Sequence, residues 1–377
     1  MTNYFLAIAT LIGTIIGVGI FTLPFIIDQS GIIFLPIYLI VLGFIQYYLY
    51  LLFAEIILST NNSHRLTGYV AKYSNKKTKY LTLLITTFSA YGAIIAYIIV
   101  GGLFLHQLLN PLFGQSVFFY TLILFTLESF IVLIGLKLIA KIELILTFLM
   151  IVAVGMIVWR GWDYFTFANF NIIQLQNAFL PYGPIFFAIS GAVAIPGVCK
   201  LLAKNKEKIK NAIFWGNFIP LLMIFVFVIT IIGISGNHIT PDVLSGLGLI
   251  FQNGIMMFTL IFSLLAIITS FLTISQDLRE SFWWDFKVDK TVAWVLACIV
   301  PYLLYLFGLN NLIKIVSITG ALGGSAFGII LLWLIFQVKK RPDKESIINN
   351  KLNKPIVYFL SLLFILGFIY ELTTIFK

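Results

Sequence analysis

Long apolar runs separated by short polar segments recur along nearly the whole chain, and this rhythm sets the first expectation about its fold. About 20 apolar residues, at 1.5 Å per residue, carry an α-helix across the roughly 30 Å of a bilayer's hydrocarbon layer. Eleven such runs occur, at 4–27, 32–58, 80–109, 117–136, 141–159, 179–202, 212–234, 248–275, 290–308, 312–337 and 355–375. They do not alternate in polarity, which argues against the strands of a membrane barrel. The predicted fold class is an all-α polytopic membrane protein, with residues 1–377 forming one transmembrane unit.

Composition agrees. The chain is 61% hydrophobic and only 10% charged, with a mean hydropathy of +1.06, and a water-soluble domain cannot hide that much apolar surface. The net charge of +10 is unevenly spread. With the N-terminus in the cytoplasm, the loops at 59–79, 137–141, 200–211, 276–290 and 338–354 hold 21 of the 24 Lys and Arg. Only Arg160, Lys314 and Lys377 remain for the other side. This one-sided loading predicts a cell-membrane protein with its N-terminus cytoplasmic and its C-terminus outside. The basic loops then face anionic lipid headgroups, and nucleic acid is not an expected partner. No basic residue precedes the first apolar run and no small-residue cleavage site follows it, so a retained helix is expected there. Cys199 and Cys298 lie far apart in sequence and suggest neither a disulfide nor a metal site.

The first run contains "LIGTIIGVGIFTLPF", with Gly13, Gly17, Gly19 and Pro24 where a spanning helix should be unbroken. The sixth, "YGPIFFAISGAVAIPGV", holds Ser190-Gly191-Ala192 with Pro196 behind and Pro184 ahead. The first ten runs divide into 4–159 and 179–337, five in each, with 355–375 left as an extra helix. Because five is odd, the second half must insert upside down relative to the first, and interrupted first helices in inverted halves mark one class of secondary transporter. A break inside the membrane exposes backbone groups that must face protein, water or a ligand. Amides at the start of a half-helix attract an anion and carbonyls at the end of one attract a cation, so two adjacent breaks suit a zwitterion. The small residues in Gly101-Gly102 and in "GALGGSAFG" (320–328) are read instead as helix packing.

"GTIIGVGIFTLPF", "YGAIIAYII" and "YGPIFFAISGAVAIPGV" resemble the amino acid–polyamine–organocation superfamily. Within it the chain is most similar to the aromatic and hydroxy amino acid permeases. The resemblance implies eleven helices, a LeuT-type five-plus-five inverted repeat, and broken helices one and six. By it, Gly17, Val18 and Gly19 match the segment that holds a substrate carboxylate, while Phe187, Ala188, Ser190 and Gly191 match the stretch that faces its amine. Tyr91 and Tyr97, on the pocket-lining third helix, are further substrate candidates. "SLLAIITS" resembles the helix-eight part of a cation site, with Ala266 giving a carbonyl and Thr269 and Ser270 hydroxyls. The carbonyls of Gly13 and Ile16 would complete it. Sodium and the proton both stay open as coupling ions, and no other cofactor is expected.

Acidic residues within spans are costly and so are functional candidates. Glu128, the deepest, is the proton-relay candidate, unless it serves only as a structural hydrogen-bond partner. Glu55 is expected to pair with a loop lysine, with gating or relay as the alternative, Glu143 to pair with Lys141, and Glu371 to be interfacial. His64, His106 and His238 lack metal-ligand spacing. The function expected is cation-coupled symport of an amino acid, hydrophobic or aromatic given the small Ala188, Ala192 and Val193. A polyamine carrier would need carboxylates at the breaks, and an enzyme would need a paired or metal-bound constellation that the spans lack. A nucleobase carrier, and a channel or sensor built on the same fold, stay open beside it. The partners expected are a small-molecule substrate and membrane lipid, with the chain a monomer or weak oligomer.

Overall fold

The computed structural model describes residues 2–61, 64–135, 139–250, 254–343, 345, 348, 350 and 354–375. Described helix falls within each of the eleven predicted runs, and no strand occurs among the described residues. The first part of the chain forms α1 (Thr2–Ile15), α2 (Gly19–Ser30), α3 (Phe34–Ser59), the short α4 (Leu66–Tyr73), α5 (Lys76–Phe113), α6 (Val117–Ile134) and α7 (Ile139–Gly161). An irregular connection leads to α8 (Tyr182–Ala188), α9 (Ile195–Leu201), α10 (Ile209–Ser235), α11 (Leu244–Ile250) and α12 (Gly254–Glu280). The remainder forms α13 (Lys290–Trp294), α14 (Val300–Leu306), α15 (Leu312–Ile318), α16 (Ser325–Lys340) and α17 (Lys354–Ile375). Among the described residues, eight helical segments are long and apolar enough to cross a membrane, or nine with α1 and α2 taken as one bent span.

Element ends follow local chemistry. α5 begins four residues before its predicted run because the Asn75 side chain caps it, accepting from the Thr78 amide at 3.0 Å. It ends at Gly114, whose φ of 63° gives the left-handed turn that closes many helices. At 38 residues it is about 57 Å long, more than a bilayer core needs. The polar "SQDLRE" beyond run 248–275 also stays helical, because its charges find partners on other elements, described below. The run 312–337 is not a plain α-helix: α15 and α16 are joined by a wider π turn over Thr319–Gly324. That turn presses against the neck of α8, where a Cβ on Gly320 would lie 2.7 Å or closer to atoms of Gly183. Such contacts agree with the packing expected of this glycine-rich stretch.

The two interrupted spans sit at the centre. α1 packs on α7, α9 and α10, and α2 packs on α8 and α10. α5 and α12 flank them, and the α15–α16 span closes over α8. The second half of the first span, α2, is held by the connection before α8. There Ile32 donates to Asn171 O at 2.8 Å, Gln174 donates to Ser30 O at 2.8 Å, and the Asn171 side chain donates to Asp28 O at 3.0 Å.

Candidate substrate cavity

The first break is short and sharp. α1 and α2 meet at 51°. The Gly17 amide turns to Ile15 O at 3.0 Å where a continuing helix would use Gly13 O, so the Gly13 carbonyl leaves the helical ladder. α2 starts afresh at Gly19; the Phe21 amide turns back to Val18 O at 3.2 Å, and those of Gly19 and Ile20 have no acceptor within the helix. The second break is held differently. α8 ends at Ala188, and helical bonding resumes with a 3-10 turn at Ala192–Ala194 before α9. Across the gap lies Tyr50 of α3, fully buried. Its hydroxyl donates to Ile189 O at 2.8 Å and accepts from the Gly191 amide at 2.6 Å. One phenol thus satisfies two backbone groups that the break frees, where leaving them unpaired would cost about 1–3 kcal/mol each.

The breaks touch one another. A Cβ on Gly19 would lie 2.6 Å from Ala188 Cα, so only glycine lets the two backbones approach this closely. A Cβ on Gly17 would lie 3.0 Å from the Tyr97 hydroxyl and 3.3 Å from Ser270 Oγ, which therefore converge on the first break. Beside this junction is a cavity of about 190 Å³. Gly17, Gly19, Tyr97, Phe187, Ala188 and Ser190 line it. α3 adds Gln46 and Phe53, α5 adds Ser89 and Ala93, and the π turn adds Thr319, Gly320 and Gly323.

Three other candidates lie apart from that lining. The Val18 side chain is fully buried. The Gly191 amide is engaged by Tyr50, and its Cα packs against Ile15, with 2.5 Å from a would-be Cβ to Cγ1. Tyr91 points to the neighbouring span and donates to Leu296 O at 2.7 Å. Of the cation candidates, Gly13 lies in the last turn of α1, Ile16 follows it, and Ala266, Thr269 and Ser270 lie on α12. The Thr269 hydroxyl donates to Ala266 O at 3.0 Å, and Ser270 Oγ is buried beside the Tyr97 hydroxyl. No group of three or more His, Cys, Asp or Glu that could hold a metal occurs among the described residues.

At one end the cavity is floored by charge. Arg65, just before α4, and Asp277 of α12 both line it, with Nη1 and Oδ1 2.7 Å apart. Arg65 also pairs with Glu280, which accepts from Gln276 Nε2 at 2.7 Å, and its guanidinium lies 5.8 Å from the Trp284 ring. Burial alone would lower the Arg65 pKa, but the carboxylates of Asp277 and Glu280 outweigh it and raise the pKa above the ordinary value. Glu55 meets Lys339 at 2.9 Å, the loop-lysine pair expected of it, and also accepts from the Asn350 amide at 2.9 Å. Glu371 lies near the end of α17. It is buried because α17 packs on α16 and the π turn, and it accepts from Ser317 Oγ at 3.1 Å. Glu128 is buried away from the cavity, with neither carboxylate oxygen paired among the described residues. The side chains of Glu143 and Lys141 lie outside the described residues.

Sequence reading missed Tyr50, Gln46 and Arg65. The only signal was a polar residue inside or beside an apolar run, which many unrelated positions share.

Comparison with known proteins decides the family: the model of the tryptophan/tyrosine permease family matches residues 1–371. The chain belongs to that family. The permease is 27% identical over 283 residues to tyrosine-specific transport system 1 of Haemophilus influenzae, covering 71% of this chain and 70% of that protein. It is 21% identical over 345 residues to glutamine transporter 2 of Aliivibrio fischeri, covering 88% of each. Its fold is similar to that of MhsT in complex with L-phenylalanine, with a TM-score of 0.68 at 15% identity over 98% of this chain and 97% of that one. It is also similar to Mhp1, a nucleobase-cation-symport-1 family transporter, closed with bromovinylhydantoin bound, with a TM-score of 0.71 at 12% identity over 98% and 90%. The permease is therefore a multi-pass membrane transporter of amino acids with a LeuT-type fold, and not an enzyme.

Proposed function

We propose that this permease imports an aromatic amino acid by alternating access, coupled to a cation. The carrying observation is the junction where Gly19 abuts Ala188, which puts the start of α2 and the end of α8 on one cavity. The zwitterion's carboxylate lies at the amides of the first turn of α2 around Gly17–Gly19. Its ammonium lies at the carbonyls ending α8, near Phe187 and Ala188. Tyr97 and Ser190 complete the polar contacts, and the ring fills the space bounded by Phe187, Ala93 and Gly320. This reading draws support from a tyrosine transporter among the relatives and from a phenylalanine complex among the fold neighbours.

The coupling ion, where it is sodium, binds the released Gly13 carbonyl with Ile16 O, Ala266 O, Thr269 and Ser270. The convergence of the Ser270 and Tyr97 hydroxyls on the first break supports a ligand there. Where the proton is the ion, Glu128 is its carrier: it is a buried carboxyl with neither oxygen paired among the described residues, within a span where acidic residues are costly. The topology that fits is eleven spans in a five-plus-five inverted repeat with one added helix. The basic loops put the N-terminus and the Arg65 floor on the cytoplasmic side.

Reconstituted protein tests this with a panel of labelled amino acids and with sodium and proton gradients imposed separately. Uptake of tyrosine, tryptophan or phenylalanine driven by one gradient is expected, as is exchange of labelled for unlabelled substrate. Absence of both for every aromatic amino acid contradicts the proposal.

A further inference from the structure

α3 runs behind the cavity with Gln46, Tyr50 and Phe53 on one face, four and three residues apart. Tyr50 is committed to the break between α8 and α9, through its bonds to Ile189 O and the Gly191 amide. Gln46 is not committed. It lines the cavity and is only 2% exposed, yet its Oε1 has no hydrogen-bond partner among the described residues. A buried carboxamide oxygen left unpaired is costly, and membrane interiors offer no water to relieve it. Phe53, Phe187 and Phe327 give the cavity aromatic walls beside the polar Ser89, Ser190 and Thr319. An unpaired acceptor beside these rings suits an aromatic cargo that brings a donor on its ring.

We propose that Gln46 is a specificity-determining residue that accepts a hydrogen bond from the ring substituent of the cargo, a phenol O–H or an indole N–H. The inference rests on the cavity being the amino acid site. One helical turn separates Gln46 from Tyr50, about 6 Å along the axis, within reach of a phenol or indole ring whose backbone groups sit at the breaks. A site with this acceptor favours tyrosine and tryptophan over phenylalanine, because phenylalanine would bury the carboxamide oxygen unpaired.

Uptake efficiencies of labelled tyrosine, tryptophan and phenylalanine are measured separately in proteoliposomes holding the full-length protein, its Gln46→Leu variant and its Gln46→Met variant. The wild type is expected to favour tyrosine and tryptophan over phenylalanine by about tenfold or more. In either variant that preference is expected to shrink by about tenfold, through loss of the donor-bearing substrates. An unchanged preference in the variants, or an equal loss for all three substrates, overturns the inference. A wild type that does not discriminate overturns it too, even where neither variant reaches the membrane. A wild type that transports none of the three contradicts the substrate reading beneath it, and so is told apart from failure of the Gln46 role alone.

Discussion

At the scale of single residues, the site depends on atoms that do not themselves carry charge. Tyr50 shows this most plainly, since its one hydroxyl answers a carbonyl and an amide on opposite sides of the same break. Without it, residues 189–191 gain by closing into continuous helix, which satisfies both groups but withdraws the α8 carbonyls from the cavity. Tyr50→Phe is therefore expected to lower substrate affinity about tenfold or more, given about 1–3 kcal/mol for each group left unpaired. Protein in the membrane should stay near its normal level. Equilibrium binding of labelled tyrosine, set against surface abundance, checks this, and unaltered affinity would sink the role given to the phenol. Glycines at the breaks were legible in sequence because a spanning helix has little other use for Gly17 and Gly19 beside Pro24. Tyr50 was not, since nothing in "QYYLYLLF" separates one tyrosine from its neighbours until α8 is packed against α3.

Elements differ in how firmly their sequence dictates them. The apolar runs became helices because lipid leaves backbone groups no other way to pair, and their central residues were fixed by composition alone. Their ends were not. α12 continues through charged "SQDLRE" because Arg65, from before α4, binds Asp277 and Glu280, a contact between residues more than 200 positions apart. The same pairing ties α12 to the segment leading into α4 and closes one end of the cavity. Arg65→Gln is expected to loosen that floor. A partly exposed pair of this kind contributes on the order of 1 kcal/mol, enough to shift an open-to-closed ratio by about fivefold. A cysteine introduced at Ser190 should then react about fivefold faster with a thiol reagent supplied from the cytoplasmic side. Equal reactivity with and without Arg65 would show that the ion pair does not act as a floor.

For the whole molecule, eleven apolar runs and their punctuation were enough to anticipate a helical membrane transporter with two interrupted spans. Hydropathy could not say which candidates share one cavity. Tyr97 faces the first break while Tyr91, six residues earlier on α5, bonds to Leu296, because that spacing turns the two side chains to different sides of the helix. Glu371 is shielded because α17 packs on the α15–α16 span, which no local pattern announces. What unites the permease is the meeting of α2 and α8 across Gly19 and Ala188, with α3, α5, α12 and the π turn as walls. A density map of the protein with bound tyrosine tests that arrangement most directly. The expected map places the carboxylate at the first turn of α2, the amine at the end of α8 and the phenol against Gln46. Tyrosine bound away from that junction, or first and sixth spans that run as unbroken helices around it, would contradict the account.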